Sequence, residues 1–367
     1  MSCSLKYQLA LTLLKGVGVT SLRPLLEHFS PEAIFNTATD ELAEKALVSP
    51  HCIQAIANFK DWNRVEKEIQ FIEAHHINTY FITDTAYPYR LKDCNDAPLL
   101  LFTKGKPNLN PPKTLAVVGT RSNSVLGKKF TEEILAGLQS YSEMVIVSGL
   151  AAGIDTIAHE EALRNKLTTW AVLAHGLDRI YPSINRRLAL AILDQGGCLI
   201  TECRHGEEPD RYLFPRRNRI VAGISDATLV IESNLKGGSL ITANLALSYG
   251  RSVLAMPGRV TDVKSSGCLE LIKTQKAQLI TSAADLLLWL NWAKQEPNKS
   301  VGAKKSDRIF TEEEKIVLAF LEDGDEKHME VLLQLTGWSP THLAAVLLDL
   351  SLADHIVSLP GNKYQLI

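Results

Sequence analysis

The sequence of 367 residues predicts an α/β protein whose central sheet is flanked by a small helical module on each side. Apolar residues recur every three or four positions from Tyr7 to about Ala74, which is the period of an amphipathic helix. Short β-branched runs then alternate with helical stretches as far as Trp292, and the helical pattern returns near the end of the chain. Because this length exceeds the usual span of one hydrophobic core, we expect two or three domains.

The first module, residues 1–75, is predicted to be a helical domain. Thr20-Ser21 and Ser30-Pro31 are helix-start signals, because a hydroxyl side chain at the N-cap accepts a hydrogen bond from a free backbone N–H. "LLKGVG" places Gly16 and Gly18 between two helical stretches. These glycines suit a plain helix–helix connection.

The central region, residues 78–292, is predicted to form a parallel sheet with helices on both faces. Parallel strands need crossover connections, and these are usually helices. The pattern therefore indicates a Rossmann-like domain. Six β-branched runs are the candidate strands: "TLAVVG", "MVIVSG", "TTWAVLA", "GCLITE", "ATLVIES" and "SVLAMPG".

The C-terminal part divides into a linker and a second small domain. Residues 293–308 include the polar, charged stretch "KQEPNKSVGAKKSDR", which holds too little apolar surface to fold alone. Residues 309–367 then contain three helical stretches, followed by "IVSLPGNKYQLI", which reads as a hairpin with a Pro-Gly-Asn turn. Three helices and a terminal β-wing predict a winged helix.

Composition and charge narrow the functional classes. No apolar run approaches the roughly 20 residues of a membrane helix, and no export signal is readable, so we expect a cytoplasmic protein without membrane contact. The six cysteines show no CxxC pairs, which favours reduced thiols and no zinc site. A formal charge of -2 indicates that any nucleic-acid binding depends on local patches.

Three glycine-containing turns follow candidate strands and precede helices. In the first, Gly119 is followed by Thr120, Arg121 and Ser122 instead of the GxGxxG of a dinucleotide site, so we expect no NAD. A helix N-terminus with an added arginine suits a phosphate. The alternative is that Arg121 only caps a surface loop.

The second and third turns repeat this arrangement. Gly149 precedes a helix in which Asp155 and His159 share a face; helix capping with structural pairing is one interpretation, and a catalytic Asp-His pair is the other. No nucleophile accompanies the pair, which favours the structural interpretation. The third turn lacks the P-loop spacing, so nucleotide hydrolysis has little support. Its residues that suit an anion are Lys236, Gly237, Gly238, Ser239 and Thr242.

Four arginines surround an aromatic residue in "RYLFPRRNRIVAGIS", residues 211 to 225. This segment lies between two candidate strands, so we expect Arg211, Arg216, Arg217 and Arg219 to reach the same rim as the three turns. Such a rim suits single-stranded nucleic acid, its backbone held by cations and its bases stacked on Phe214. The alternative is that Phe214 belongs to the core and the arginines are solvated.

Six motifs between residue 113 and about residue 282 resemble, in order, those of the DNA-processing protein A family, also called Smf. They are "GTRSNSVLG", "SGLAAGIDTIAHEEAL", "GLDRIYPSINRRL", "FPRRNRIVAGIS", "GGSLITANLALSYGR" and "MPGRVTDVKSSGCLELI". The resemblance implies a Rossmann-like core that binds single-stranded DNA, protects incoming strands in natural transformation, forms a homodimer and loads the RecA recombinase. It implies no catalytic activity, no cofactor and no metal; single-stranded-DNA-binding protein is a further compatible partner.

The resemblance, with the turns above, gives the expected DNA-binding residues: Arg121, Ser122, Gly149, Arg211, Phe214, Arg216, Arg217, Asn218, Arg219, Lys236, Gly237, Gly238, Ser239 and Thr242. The N-terminal module is similar to the helical domain of the family, which is related to the SAM and helix-hairpin-helix folds. The resemblance implies that the turn at Gly16 and Gly18 presents backbone N–H groups to a phosphate, and a plain helix–helix connection stays open as the alternative. One departure is "AVLAHGLD", where His175 stands in a loop that is usually richer in glycine. Contact with DNA and a bystander role both stay open for His175.

Two other functions compete with this interpretation. A nucleotide phosphoribohydrolase-like enzyme on a related Rossmann core needs a catalytic glutamate, and "KGGSLITANLAL" carries none, although Asp155 and Glu202 stay open as an acid/base pair. A winged-helix regulator of duplex DNA needs cations on its recognition helix. "SPTHLAAVLLDLSLADH" offers only histidines and aspartates.

Overall fold

The computed structural model describes residues 3–46, 48–105, 107–293, 310–353 and 355–367. The chain forms two compact units, Met1–Thr281 and Ser282–Ile367. The predicted linker, apart from Ala293, lies outside the described residues.

Six helices form the N-terminal part of the first unit, as the apolar periodicity predicts. They are α1 (Cys3–Thr12), α2 (Val19–His28), α3 (Pro31–Asn36), α4 (Thr39–Ala46), α5 (Pro50–Ala57) and α6 (Trp62–Ala74). Ser30 caps α3 by accepting a hydrogen bond from the Ala33 N–H at 3.2 Å. Helix α2 begins at Val19, one residue before the predicted Thr20-Ser21 signal, and Gly18 is its N-cap.

The remainder of this unit is a nine-stranded sheet with its connecting helices. The strands are β1 (Asn78–Phe81), β2 (Leu100–Lys104), β3 (Lys113–Val118), β4 (Met144–Ser148), β5 (Thr168–Val172), β6 (Cys198–Thr201), β7 (Ala227–Val230), β8 (Ser252–Ala255) and β9 (Gln278–Leu279). The helices are α7 (Tyr89–Lys92), α8 (Val125–Gly137), α9 (Ile154–Arg164), α10 (Arg186–Asp194), α11 (Leu213–Gly223), α12 (Gly238–Ser248) and α13 (Ser266–Lys273). All six predicted runs form strands, β3 to β8.

The strand order is β1-β2-β6-β5-β4-β3-β7-β8-β9. Strands β3 to β8 pair in parallel, as predicted, and β9, which the sequence did not predict, pairs in parallel with β8. Strands β1 and β2, also not predicted, pair antiparallel with each other, and β2 pairs antiparallel with β6. From β3 the chain first moves outward through β4, β5 and β6, and α11 then returns it to β7 on the other side of β3. The carboxyl ends of β3 and β7 therefore form a topological switch point, where open α/β sheets bind ligands.

A buried ion pair fixes the opposite, amino-terminal edge of these two strands. The Asp226 carboxylate, just before β7, accepts a hydrogen bond from Arg90 Nε at 2.6 Å, and both side chains are 1% exposed. It also accepts from the Thr114 N–H on β3 at 2.8 Å. Because these partners compensate the buried charge, the pair joins β3 to β7 without an unpaired carboxylate oxygen.

The second unit contains the predicted winged helix. Its elements are α14 (Ala283–Trp289), α15 (Glu312–Leu321), β10 (Lys327–His328), α16 (Met329–Thr336), α17 (Pro340–Leu352), β11 (Ile356–Leu359) and β12 (Lys363–Leu366). Strands β11 and β12 form the predicted hairpin around Pro360-Gly361-Asn362, and β10 pairs with β12. Residues of α15, α16, α17 and β11 bury a small apolar core.

Among the described residues, no single helix is long and apolar enough to cross a bilayer. Only α16 and α17 taken together have the required length and composition, and this pair is bent by 112°.

Candidate nucleic-acid interface

The three predicted turns meet at the switch point and enclose a cavity of about 260 Å³, here called the switch-point cavity. Its walls are the loops after β3, β4 and β7, together with one face of α11. The α11 residues in this wall follow helical spacing, from Phe214 through Arg217 and Asn218 to Val221.

The structure brings nine of the expected DNA-binding residues into the walls of this cavity. They are Arg121, Gly149, Phe214, Arg217, Asn218, Gly237, Gly238, Ser239 and Thr242. Ser122, Arg211 and Lys236 are exposed but do not line it. Arg216 and Arg219 face another part of the molecule.

Arg217 is the structural centre of the cavity. Its side chain is buried, and Nη1 donates to the carbonyl oxygens of Gly149 and Val172, each at 2.5 Å. Burial lowers the pKa of Arg217, and the nearby carboxylate of Asp155 opposes this shift. A Cβ atom at Gly149 would lie 2.3 Å from Nη1, so only glycine fits against the guanidinium. Arg217 thus joins α11 to the ends of β4 and β5.

Replacing Arg217 should therefore reduce stability. Arg217→Ala leaves two buried carbonyl oxygens and the Asp155 carboxylate without their cation, so we expect unfolding free energy to fall by about 3 kcal/mol. Urea titration measures this loss. The control is Arg164→Ala, because Arg164 is exposed at the far end of α9 and should change stability by less than about 1 kcal/mol. An Arg217→Ala protein of unchanged stability would show that Arg217 is not a structural cation.

Arg121 and Phe214 stand together at the mouth of the cavity. The guanidinium carbon of Arg121 lies 4.8 Å from the centroid of the Phe214 ring, within the range of a cation–π contact. The Tyr181 ring centroid lies 5.9 Å from that of Phe214, and Tyr181 is 47% exposed. Arg121 is exposed and Phe214 is half-buried, so a cation and two aromatic rings face solvent at one place.

The N-terminus of α12 forms the opposite wall. Gly237 is its N-cap, and no side chain caps the helix. Ser239 is instead directed to Ser233, with their Oγ atoms 2.8 Å apart. The first N–H groups of α12 therefore keep the partial positive charge that attracts an anion.

The expectation that all four arginines share one rim is wrong for Arg216 and Arg219. Both guanidiniums bind Glu202 Oε2, at 2.8 Å and 2.5 Å, on the other side of α11. The physical reason is that residues three apart share one face of a helix, and that face is not the one carrying Arg217. Arg211 is exposed and donates to the Tyr212 hydroxyl at 2.6 Å.

Asp155 and His159 do not form a hydrogen-bonded pair in the described structure. Asp155 accepts from the Ala151 N–H at 3.3 Å, whereas His159 Nδ1 lies 2.7 Å from Thr169 Oγ1. Burial raises the pKa of Asp155, with Arg217 opposing the shift. Burial lowers the pKa of His159 to about 3, and Arg217 adds to this effect. His159 is thus a neutral residue of the sheet–helix packing.

This environment predicts an acid-dependent loss of stability. Burial lowers the pKa of His159 in the folded protein to about 3 from its ordinary 6.5, so the unfolded chain takes up a proton first as the pH falls below 6.5. We expect the stability difference between wild type and His159→Gln to shrink by about 2 kcal/mol from about pH 7 to about pH 5, at about 1.4 kcal/mol per pH unit. Urea unfolding at both pH values measures it. A pH-independent difference would mean that His159 is protonated in the folded protein.

His175 uses both ring nitrogens within its own loop. Nδ1 lies 2.9 Å from the Gly176 carbonyl oxygen, and Nε2 accepts from the Tyr181 N–H at 3.2 Å. Burial lowers the pKa of His175. The neutral ring therefore holds the loop that carries Tyr181, which favours a supporting role over direct contact with DNA.

Glu232 helps to position the loop that carries Arg121, and the sequence interpretation missed this residue. Its buried carboxylate, just after β7, accepts hydrogen bonds from the N–H and the hydroxyl of Ser124, the N-cap of α8. It thereby fixes the end of the loop that carries Arg121. A carboxylate directly after a buried strand was the available signal.

Asp155 and Glu202, the residues of the possible acid/base pair, line different cavities. Glu202 binds Arg216 and Arg219, whereas Asp155 accepts from the Ala151 N–H. The described residues contain no group of three histidine, cysteine or carboxylate side chains that could hold a metal ion. Cys52, Cys94, Cys198, Cys203 and Cys268 are buried free thiols.

A family model described as DNA recombination-mediator protein A matches residues 78–291. The chain belongs to this family. A second model, the DprA winged helix domain, matches residues 302–362, in agreement with the fold of the second unit.

Curated relatives of the family agree with this assignment. DNA processing protein DprA of Streptococcus pneumoniae is 42% identical over 61% of this chain and 80% of its own length. Protein Smf of Escherichia coli is 36% identical over 76% of this chain and 75% of its own length.

Two solved structures of the family are also similar. The X-ray structure of the S. pneumoniae protein has a TM-score of 0.66 and 36% identity, covering 77% of this chain and 97% of that one. A structure of DNA processing protein A from Helicobacter pylori, reported for its single-stranded DNA binding mode, has a TM-score of 0.53 and 30% identity, covering 59% and 95%.

Proposed function

We propose that this member of the DNA recombination-mediator protein A family binds single-stranded DNA at the switch-point cavity and acts by binding, without catalysis. The similar H. pylori protein, whose reported property is a single-stranded DNA binding mode, supports the choice of ligand. In natural transformation and recombination, the bound strand would be protected and passed to the RecA recombinase. A homodimer and a contact with single-stranded-DNA-binding protein belong to the same proposal.

The observation that carries the proposal is the contact between Arg121 and Phe214 at the cavity mouth. An exposed guanidinium can bind a backbone phosphate, while the half-buried ring beside it can stack on an unpaired base. In a duplex the bases already stack on each other, so the aromatic ring gains nothing there. The arrangement therefore favours single strands over duplex DNA.

Gly238, at the start of α12, would let a phosphate approach the N-terminus of that helix closely. A Cβ atom at Gly238 would meet no protein atom within 4 Å, and Gly238 is not among the glycines with positive φ. Neither packing nor backbone conformation requires glycine at this first position of α12. A ligand held against the backbone N–H groups does explain it.

A domain division accompanies this proposal: a helical domain at 1–75, the DNA-binding core at 78–292, the linker at 293–308 and the winged helix at 309–367. The family model at 78–291 supports the bounds of the core, whereas the winged-helix model at 302–362 begins within the proposed linker. All walls of the switch-point cavity belong to the proposed core.

Two substitutions test the proposal because they separate charge from stacking. Arg121→Ala should weaken binding to every single-stranded sequence. It should also reduce, by about 0.7, the slope of the logarithm of the binding constant against the logarithm of the salt concentration. Phe214→Ala should leave that slope unchanged and cost about 1 to 3 kcal/mol of binding free energy, because stacking releases no counterions. Fluorescence anisotropy with labelled oligonucleotides over a range of salt concentrations measures both effects.

Arg164→Ala, at the far end of α9, is the matched control and should bind like wild type. Thermal unfolding of each variant checks that Phe214→Ala is folded. If both cavity variants are folded and bind as wild type does, single-stranded DNA does not bind at this cavity.

A further inference from the structure

A second cavity, of about 340 Å³, lies on the other side of α11, between the N-terminal helices and the sheet. Its apolar walls come from both parts of the unit, including Leu11 from α1, Val17 from the turn before α2 and Leu99 just before β2. Arg216 and Arg219 line this second cavity together with Glu202.

The carboxylate of Glu202 is incompletely satisfied. Its side chain is 7% exposed, and Oε2 accepts hydrogen bonds from both Arg216 and Arg219. The other oxygen, Oε1, is buried and has no hydrogen-bond partner. A buried carboxylate oxygen without a donor is unfavourable, so the site lacks one N–H or O–H group that a ligand can supply.

The charges of this cavity favour a neutral ligand group over a phosphate. Three arginines, Arg204, Arg216 and Arg219, are balanced by three carboxylates, Asp96, Glu202 and Glu207. Arg204 and Arg219 are already engaged, with Glu207 and Glu202 respectively. An uncharged, flat group with an N–H donor fits both the balanced charge and the apolar walls.

Arg216 is the most exposed of these three arginines. Its side chain is 57% exposed, whereas that of Arg219 is 12% exposed. A phosphate next to α11 would attract Arg216 away from Glu202. The carboxylate of Glu202 would then remain paired with Arg219 and become accessible from the cavity. The switch-point cavity includes Phe214 and Pro215, which immediately precede Arg216, so a strand leaving that cavity over the start of α11 reaches this place.

From these observations, and resting on the proposed function, we infer that the second cavity binds one base of the same DNA strand through a hydrogen bond from the base amino group to Glu202. Cytosine N4, adenine N6 and guanine N2 are amino donors. Thymine has only its N3–H, which lies between two carbonyl oxygens that a carboxylate repels. The N-terminal helices thus gain a role as one wall of a base pocket. The strand preference that follows is for bases with an amino group over thymine.

Wild-type protein provides the first test, with oligo-dC, oligo-dT and an oligonucleotide of the cytosine analogue 2-pyrimidinone, which lacks the 4-amino group. All three have the same length and are measured at neutral pH. We expect oligo-dC to bind about tenfold more tightly than the other two, a typical discrimination for a base-edge hydrogen bond. Equal affinity for dC and the analogue would overturn the base pocket.

Glu202→Gln supplies the second test. Its amide oxygen can still accept from the arginines, while its NH2 group takes the place of Oε1 and donates to a thymine carbonyl oxygen. The preference should therefore reverse in favour of oligo-dT. Glu208→Gln is the control, because Glu208 is exposed, lies outside the cavity, and should leave the preference unchanged.

Thr12→Phe keeps the inference testable if Glu202→Gln does not fold. Thr12 lines the second cavity from the end of α1, and a larger side chain there should fill it and abolish the dC preference. If Arg121→Ala weakens binding but none of these comparisons shows a base preference, the second pocket is wrong and the proposed function stands. If no oligonucleotide binds to wild type, both fail.

Discussion

The buried guanidinium of Arg217 is the interaction on which the site depends. It joins helix α11 to the end of β4 and the end of β5, two neighbouring strands of the sheet. With Arg217 fixed, α11 presents Phe214 towards Arg121 on one side and Arg216 towards Glu202 on the other. Arg217, which the sequence suggested as a DNA-binding cation, thus positions the surface on which other residues are proposed to bind DNA.

Helical geometry and burial decide which arginines are structural and which are free to bind a ligand. Phe214, Arg217, Asn218 and Val221 share one face of α11, and Arg216 with Arg219 share another. A buried cation is held by fixed partners that compensate the loss of its hydration, so removing the cation leaves those partners unpaired and destabilises the fold. Exposed cations such as Arg121 remain available to a phosphate. The guanidinium group therefore serves two purposes at this site, according to its exposure.

Much of the fold was predictable because buried parallel strands appear in the sequence as short apolar runs. Strands β3 to β8, the N-terminal helices and the winged helix all follow from periodicity. Strands β1 and β2 were missed because they precede the regular strand–helix alternation and pair antiparallel at the sheet edge. The three turns of the switch-point cavity were also predictable, since carboxyl ends of parallel strands meet at one edge.

The partners of individual side chains were not predictable. Glu202 follows β6 and Arg219 lies 17 residues later, and only the folded helix brings them together. Arg217 and the Val172 carbonyl are 45 residues apart in the chain. The sequence shows the number and spacing of the arginines, but their direction depends on contacts between distant segments. Burial, which decides between a structural and a ligand-binding cation, is a property of the tertiary structure.

The most direct measurement of the central claim is the effect of Gly238→Ala on stability and on affinity for single-stranded DNA. A methyl group at this position contacts no protein atom, and alanine is favoured over glycine within a helix, so the variant should be at least as stable as wild type. If a phosphate is held against the N-terminus of α12, the methyl group should weaken binding by about tenfold or more, or about 1.4 kcal/mol. A stable variant that binds single-stranded DNA as tightly as wild type would contradict the account.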